Sequence, residues 1–165
     1  MSAKSIIIGS VIFFVLIIGV SFLSTAGQKP APATATYSAT DKDRPIVETP
    51  RTQADLGEMK VSDTKQEDFE IKNTGTKPLQ ILNVNSSCNC TSGQIIYNGT
   101  TSKEYGMHAQ SGYVTDIAPG SSATVRVIYR PSLMPVYGPV EREVYVTTND
   151  PKKENLVFTI KANVK

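Results

Sequence analysis

The residues predict an all-β sandwich of about seven antiparallel strands, carried behind an N-terminal apolar segment and a polar stalk. Three observations carry that prediction. From about Asp55 onward, apolar residues recur at every second position, the period of a half-buried strand. Turn-forming groups punctuate these runs at Asn73-Thr74-Gly75, Asn98-Gly99, Pro119-Gly120 and Asn149-Asp150-Pro151. No window beyond the N-terminal segment shows a helical apolar stripe. Short strands, Gly/Pro turns and the lack of helices together argue two packed sheets.

The N-terminal segment comes first. Ile6 to Leu23 is almost wholly apolar and carries no charge. As a helix it would rise about 27 Å, close to the hydrocarbon thickness of a bilayer. The run is longer than the roughly 7–15 apolar residues of a secretory signal peptide, which favours a transmembrane signal anchor. We therefore expect a short cytoplasmic head at residues 1–4 and an anchor over residues 5–26. Ser24-Thr25-Ala26 is also small enough for a peptidase to cut after, which would give a secreted domain. Lys4 biases the N-terminus toward the cytoplasm, so the remainder is expected outside it, where disulfides persist.

Residues 27–54 are rich in Pro, Ala and Thr, with Pro30, Pro32, Pro45 and Pro50 favouring extended chain. Too little apolar surface is available to offset ordering, so a disordered stalk is expected. The chain carries 17 basic and 15 acidic residues for a formal charge of +2, with the basic residues scattered. That balance supplies no electrostatic basis for binding nucleic acid.

Residues 55–165 form the predicted sandwich, a length sufficient for a core without staples. Leu56 to Val61 reads as a first strand with Gly57 as a bulge. Phe69 and Ile71 alternate with charged residues, and Leu79 to Val84 is more continuously apolar and so central. Gln94 to Tyr97 and Thr101 to Tyr105 flank Asn98-Gly99, a strong hairpin signal. Gly106 to Gly112 reads as an open loop. Val125, Val127 and Tyr129 share a face, as do Val144 and Val146, and then Phe158, Ile160, Ala162 and Val164.

The order of local signatures adds a resemblance. Asn73-Thr74-Gly75 follows Phe69 to Lys72; Cys88-Asn89-Cys90-Thr91 comes next; Pro119-Gly120 precedes a strand ending at Tyr129; and Thr148-Asn149-Asp150-Pro151 precedes the last strand. Over Leu56 to Val164 this resembles a bacterial Ig-like family, the domain of unknown function numbered fifteen-seventy-three. That family is similar in fold to the Hydin/ASH group and to major sperm protein. The resemblance implies an Ig-like sandwich, an exported location and a scaffolding role, and no reaction. The chain departs from the family in having Asn89 rather than Gly between the cysteines, and in a longer segment between Thr91 and Pro119.

Chemistry-bearing residues are few. The sequence has two Cys and one His. No Ser/His/Asp order, Gly-rich phosphate loop or paired-carboxylate cleft can be defended, so no catalytic residue and no enzyme are expected. Cys88 and Cys90 leave three readings open. They are small buried residues at a strand end, with a disulfide between them if the chain turns tightly at Asn89. Alternatively, they offer two thiolates to Cu(I), although the leading expectation is no cofactor. Met107 and His108 would add ligands if their loop folds back. A membrane-anchored copper-delivery family of cytochrome oxidase assembly is similar in layout, pairing an anchor, an Ig-like domain and Cys-x-Cys. Thirdly, the pair exchanges with thiols, although no Lys, Arg or His adjoins it in sequence. The leading expectation is a membrane-anchored, extracytoplasmic binding or scaffolding module with a protein partner.

Overall fold

The alternating runs fold into strands, and the described residues form ten strands in two five-stranded sheets. The computed structural model describes residues 12–20, 33–109 and 112–165. The strands are β1 (Val47–Glu48), β2 (Gln53–Met59), β3 (Lys65–Asn73), β4 (Leu79–Ser86), β5 (Thr91–Tyr97), β6 (Thr100–Thr101), β7 (Thr115–Ile117), β8 (Ser122–Tyr129), β9 (Gly138–Thr148) and β10 (Asn155–Val164). One sheet runs β1-β3-β8-β5-β6 and the other β2-β10-β9-β4-β7. Seven strands have seven residues or more, matching the predicted number; β1, β6 and β7, at two or three residues, are too short to show alternation.

The core forms where the inward faces meet. Phe69, Ile71, Val125, Val127 and Tyr129 from one sheet oppose Ile81, Val84, Val144, Phe158 and Ile160 from the other, all at most 1 % exposed. Phe69 and Phe158 bridge the sheets, their ring centroids 5.3 Å apart. Each such burial contributes roughly 1.5–3 kcal/mol. The Asn98-Gly99 hairpin forms with φ of 49° and 75°, the mirror-image turn that suits strand twist. At Gly57 the β2–β10 register shifts, so Leu56 and Gly57 together stand against Ala162, the predicted bulge.

Two expectations are corrected. The sandwich is not wholly antiparallel: β2 pairs with β10 in parallel. Alternation reports a buried face and carries no strand direction, so this pairing left no mark on the pattern. The stalk also ends earlier than expected. The chain divides after Pro32, and Ala33–Lys165 forms one compact unit. Val47 is 1 % exposed and β1 pairs with β3 through Val47–Asn73 and Glu48–Lys72. Polar side chains hold this segment. Asp150 accepts hydrogen bonds from the Val47 amide at 2.9 Å and from Arg44 Nη1 at 3.2 Å. Gln80 Oε1 accepts from the Ala35 amide at 2.8 Å, and Asn149 Oδ1 from the Gln80 amide at 2.8 Å. A Cβ on Gly75 would stand 2.3 Å from the Arg44 carbonyl oxygen, so only glycine lets the segment lie this close. The Asn-Thr-Gly and Asn-Asp-Pro signatures thus both serve to seat the incoming chain.

Of the predicted anchor, only residues 12–20 are described; the rest lies outside the described residues. Residues 12–20 are helical. Among the described residues, no helix is long and apolar enough to cross a membrane.

Candidate functional site

The incoming chain at Ala35 docks beside Gln80 and Asn149, which defines one end of the sandwich. Register places the cysteines at the other. There β8 ends opposite the starts of β3 and β5, through Tyr129–Lys65 and Tyr129–Thr91 pairs. β4 ends at Ser86, paired with Val144, and β10 ends at Val164 beside Met59.

Between β4 and β5 the chain turns tightly, the Thr91 amide donating to the Cys88 carbonyl at 3.3 Å. The turn brings the Cα atoms of Cys88 and Cys90 to 5.3 Å, and the two residues form a disulfide. Asn89 is not among the residues with positive φ, so Gly is not required between these cysteines. Several bonds hold the turn independently of the sulfurs. Ser86 Oγ donates toward the Cys88 and Thr91 carbonyls at 2.9 and 2.7 Å. The Ser87 amide and hydroxyl bond the Glu143 backbone at 3.0 Å each, and the Arg130 amide donates to the Cys90 carbonyl at 2.8 Å.

The two sulfurs differ in their surroundings. Cys90 is 1 % exposed, whereas Cys88 is half-buried next to exposed Asn89. Arg142 Nε points at Cys90 Sγ from 3.3 Å. Its guanidinium carbon lies 6.0 Å from the centroid of the fully buried Tyr129 ring. Sequence reading missed this residue. The signal was present: Arg142 falls in phase with inward-facing Val140, Val144 and Val146, an unusual place for a charge. No basic residue adjoins the cysteines in sequence, but the fold supplies one from 52 positions away.

The β8–β9 loop continues from the same corner. A 3-10 turn at Pro131–Leu133 opens it. Beyond, Leu133, Met134, Val136 and Tyr137 are 60, 45, 43 and 71 % exposed, an apolar cluster at the tip. Among the described residues, three ion pairs lie at this end of the sandwich. Arg130 grips Glu104 through bonds of 2.7 and 2.9 Å, and with Ser92 it holds the Glu104 carboxyl below its ordinary value. Lys165 pairs with Glu58, and Lys161 with Glu141.

Met107 and His108 are both exposed. Met107 lines a surface hollow with Ser86, Ser87, Tyr145 and Val157, on the outer face of the second sheet. Among the described residues, no hydrogen bond joins Met107 or His108 to either sulfur, and no group of three His, Cys, Asp or Glu could hold a metal. Cu(I) would need the disulfide reduced first, and the Arg142 charge opposes a cation at Cys90.

Residues 45–163 match the model of the HYDIN/CFA65/VesB-like, Ig-like domain. Among solved structures, a protein of unknown function from Porphyromonas gingivalis W83 is 21% identical with a TM-score of 0.58, covering 75% of this chain and 49% of its own. A family 123 glycoside hydrolase from Clostridium perfringens is 10% identical, TM-score 0.50, covering 68% of this chain and 22% of its own. The ASH/PapD-like domain 7 of human CEP192 is 12% identical, TM-score 0.46, covering 83% and 94%. The chain thus spans about half of the first structure's length and about a fifth of the second's. No curated protein matches it in sequence.

Proposed function

The chain belongs to the HYDIN/CFA65/VesB-like Ig-like domain family, and from that premise we propose that it is a membrane-anchored, extracytoplasmic binding module whose β8–β9 loop takes a protein partner. One observation carries the reading: Leu133, Met134, Val136 and Tyr137 stand exposed on one loop at the end away from the incoming chain. Solvating such a cluster is unfavourable, and a partner with an apolar groove would bury it. The loop from Pro131 to Gly138 carries no basic residue, which suits a protein groove better than an anionic lipid surface.

Sandwiches also bind along strand edges, but side chains occupy backbone acceptors on the β2 and β3 edges. Lys65 Nζ donates to the Leu56 and Glu58 carbonyls of edge strand β2 at 2.6 and 2.9 Å. Arg51 Nη2 takes the Asp68 carbonyl of β3 at 3.1 Å. Both occupy backbone groups that an added strand would need.

The anchor is supported by Ile6 to Leu23 being uncharged and by the helix at residues 12–20, whose apolar side chains are all at least 45 % exposed. A helix apolar all round belongs in apolar surroundings. The disulfide agrees with a location outside the cytoplasm. This reading needs no catalysis and no bound cofactor.

The test is capture of the partner from intact membranes by crosslinking to the full chain. Leu133→Ser/Tyr137→Ser is expected to lower recovery by roughly tenfold or more, as loss of two central contacts does. Equal recovery by the double variant would refute the loop as the contact.

A further inference from the structure

The disulfide corner carries chemistry that the binding role does not use. We propose that Cys88–Cys90 is an exchangeable disulfide, attacked at Cys88 by a dithiol partner, with Cys90 leaving as a thiolate held by Arg142. The assignment is independent of what the β8–β9 loop binds.

Three observations converge. First, access is one-sided. Cys90 is 1 % exposed, while Cys88 is half-buried at the rim, so an incoming thiolate meets the Cys88 sulfur. Second, the leaving sulfur faces a cation. Arg142 sits on the inward side of β9 with Nε 3.3 Å from Cys90 Sγ. Its only other hydrogen bond among the described residues runs from Nη1 to the Glu141 carbonyl at 2.8 Å, and no carboxylate there pairs with it. Glu141 is taken by Lys161, and Glu143 accepts from Tyr145. A disulfide sulfur is a weak acceptor, so the guanidinium gains little until charge appears on Cys90. The buried Tyr129 ring excludes water from one side and strengthens that attraction. Third, the bond is redundant as a staple. Ser86, Ser87, Thr91 and Arg130 hold the turn through bonds that need no sulfur, and a ring closed across a separation of two residues restricts the unfolded chain little.

The step balances as follows. A partner thiolate forms a bond to Cys88 Sγ, the Cys88–Cys90 bond breaks, and its electron pair stays on Cys90. The partner's second thiol gives its proton to solvent and attacks its own sulfur in the mixed disulfide. Cys88 leaves and takes a proton. The partner dithiol is oxidised to a disulfide, and the Cys88–Cys90 pair is reduced by two electrons.

The test uses the full chain in detergent micelles, with reduced glutathione as the trapping thiol and dithiothreitol as the dithiol. After acid quench and alkylation, mass spectrometry is expected to find glutathione on Cys88. Native-state reduction by dithiothreitol is expected to slow roughly tenfold in Arg142→Gln and to recover in Arg142→Lys, because a poorer leaving thiolate departs more slowly. In denaturant the three proteins should react alike. Glutathione on Cys90, equal native rates for wild type and Arg142→Gln, or a bond that resists dithiothreitol until the domain unfolds would each overturn the proposal. If Arg142→Gln fails to fold, the Cys88 trapping result in wild type decides.

Discussion

Asp150 is the residue on which the seating of the incoming chain depends. Its side chain is 1 % exposed and Arg44's is 10 %. It accepts from the Val47 amide at 2.9 Å, Arg44 Nη1 at 3.2 Å and the Lys152 amide at 3.0 Å. Asp150→Ala removes the acceptor of all three bonds. An amide stranded at Val47 costs about 1–3 kcal/mol, and breaking a buried ion pair costs about 3–5 kcal/mol in total. The Arg44 and Val47 contacts hold only the incoming segment, so the penalty is capped by the free energy of undocking it. We expect unfolding free energy to fall by about 3 kcal/mol. Hydrogen exchange should accelerate roughly a hundredfold at the Val47 amide and at Thr74, whose amide donates to Ile46 at 2.9 Å. The Arg130 amide, bonded to Cys90 at the other end, should keep its protection. Asp150→Asn retains an acceptor without the charge and should fall between. Urea unfolding and exchange mass spectrometry read both effects. A variant within about 0.5 kcal/mol of wild type, with Val47 still protected, would refute the reasoning.

Four further outcomes follow from the same geometry. Gly75→Ala places a Cβ 2.3 and 2.5 Å from the Arg44 oxygen and Ile46 nitrogen, backbone atoms that cannot swing aside, and should cost about 2 kcal/mol with exchange rising at Val47. Tyr129 is fully buried and its hydroxyl has no protein partner among the described residues, so Tyr129→Phe should be neutral or stabilising by up to about 1 kcal/mol; a clear loss on thermal unfolding would contradict this. Two bonds of 2.8 Å from Arg126 hold the Asp68 carboxyl below its ordinary 3.8. The stability it contributes is present above pH 3.8 and lost as pH falls through the lower folded value. Because Asp68 is 46 % exposed, the effect in acid titrations of wild type against Arg126→Gln should be only about 0.5 kcal/mol. Reducing the disulfide should lower unfolding free energy by at most about 1.6 kcal/mol, the loop-closure value for so short a ring.

Much of the sandwich was legible because its determinants are local. The alternation through Phe69 and Ile71, the Gly57 bulge and the Asn98-Gly99 turn each act within a few residues. What escaped depends on pairs far apart in the chain. Val47 joins the domain because its amide meets Asp150, 103 positions on, and no period announces such a bond. Direction escaped as well, since β2 would show the same face whether parallel or antiparallel to β10. At the candidate site the two cysteines and their turn were readable, but their difference was not. It arises from burial of Cys90 and from Arg142, whose in-phase position on β9 was the one local hint. The exposed tip at Leu133 to Tyr137 escaped because apolar residues in a loop look the same in sequence whether they pack or protrude.

The binding role is tested most directly by placing a photoreactive amino acid at Tyr137 and, in a second protein, at Asn98 on the opposite end. The account predicts a discrete protein adduct from position 137 in intact membranes and none from position 98. Adducts from position 98 with none from 137 would contradict it.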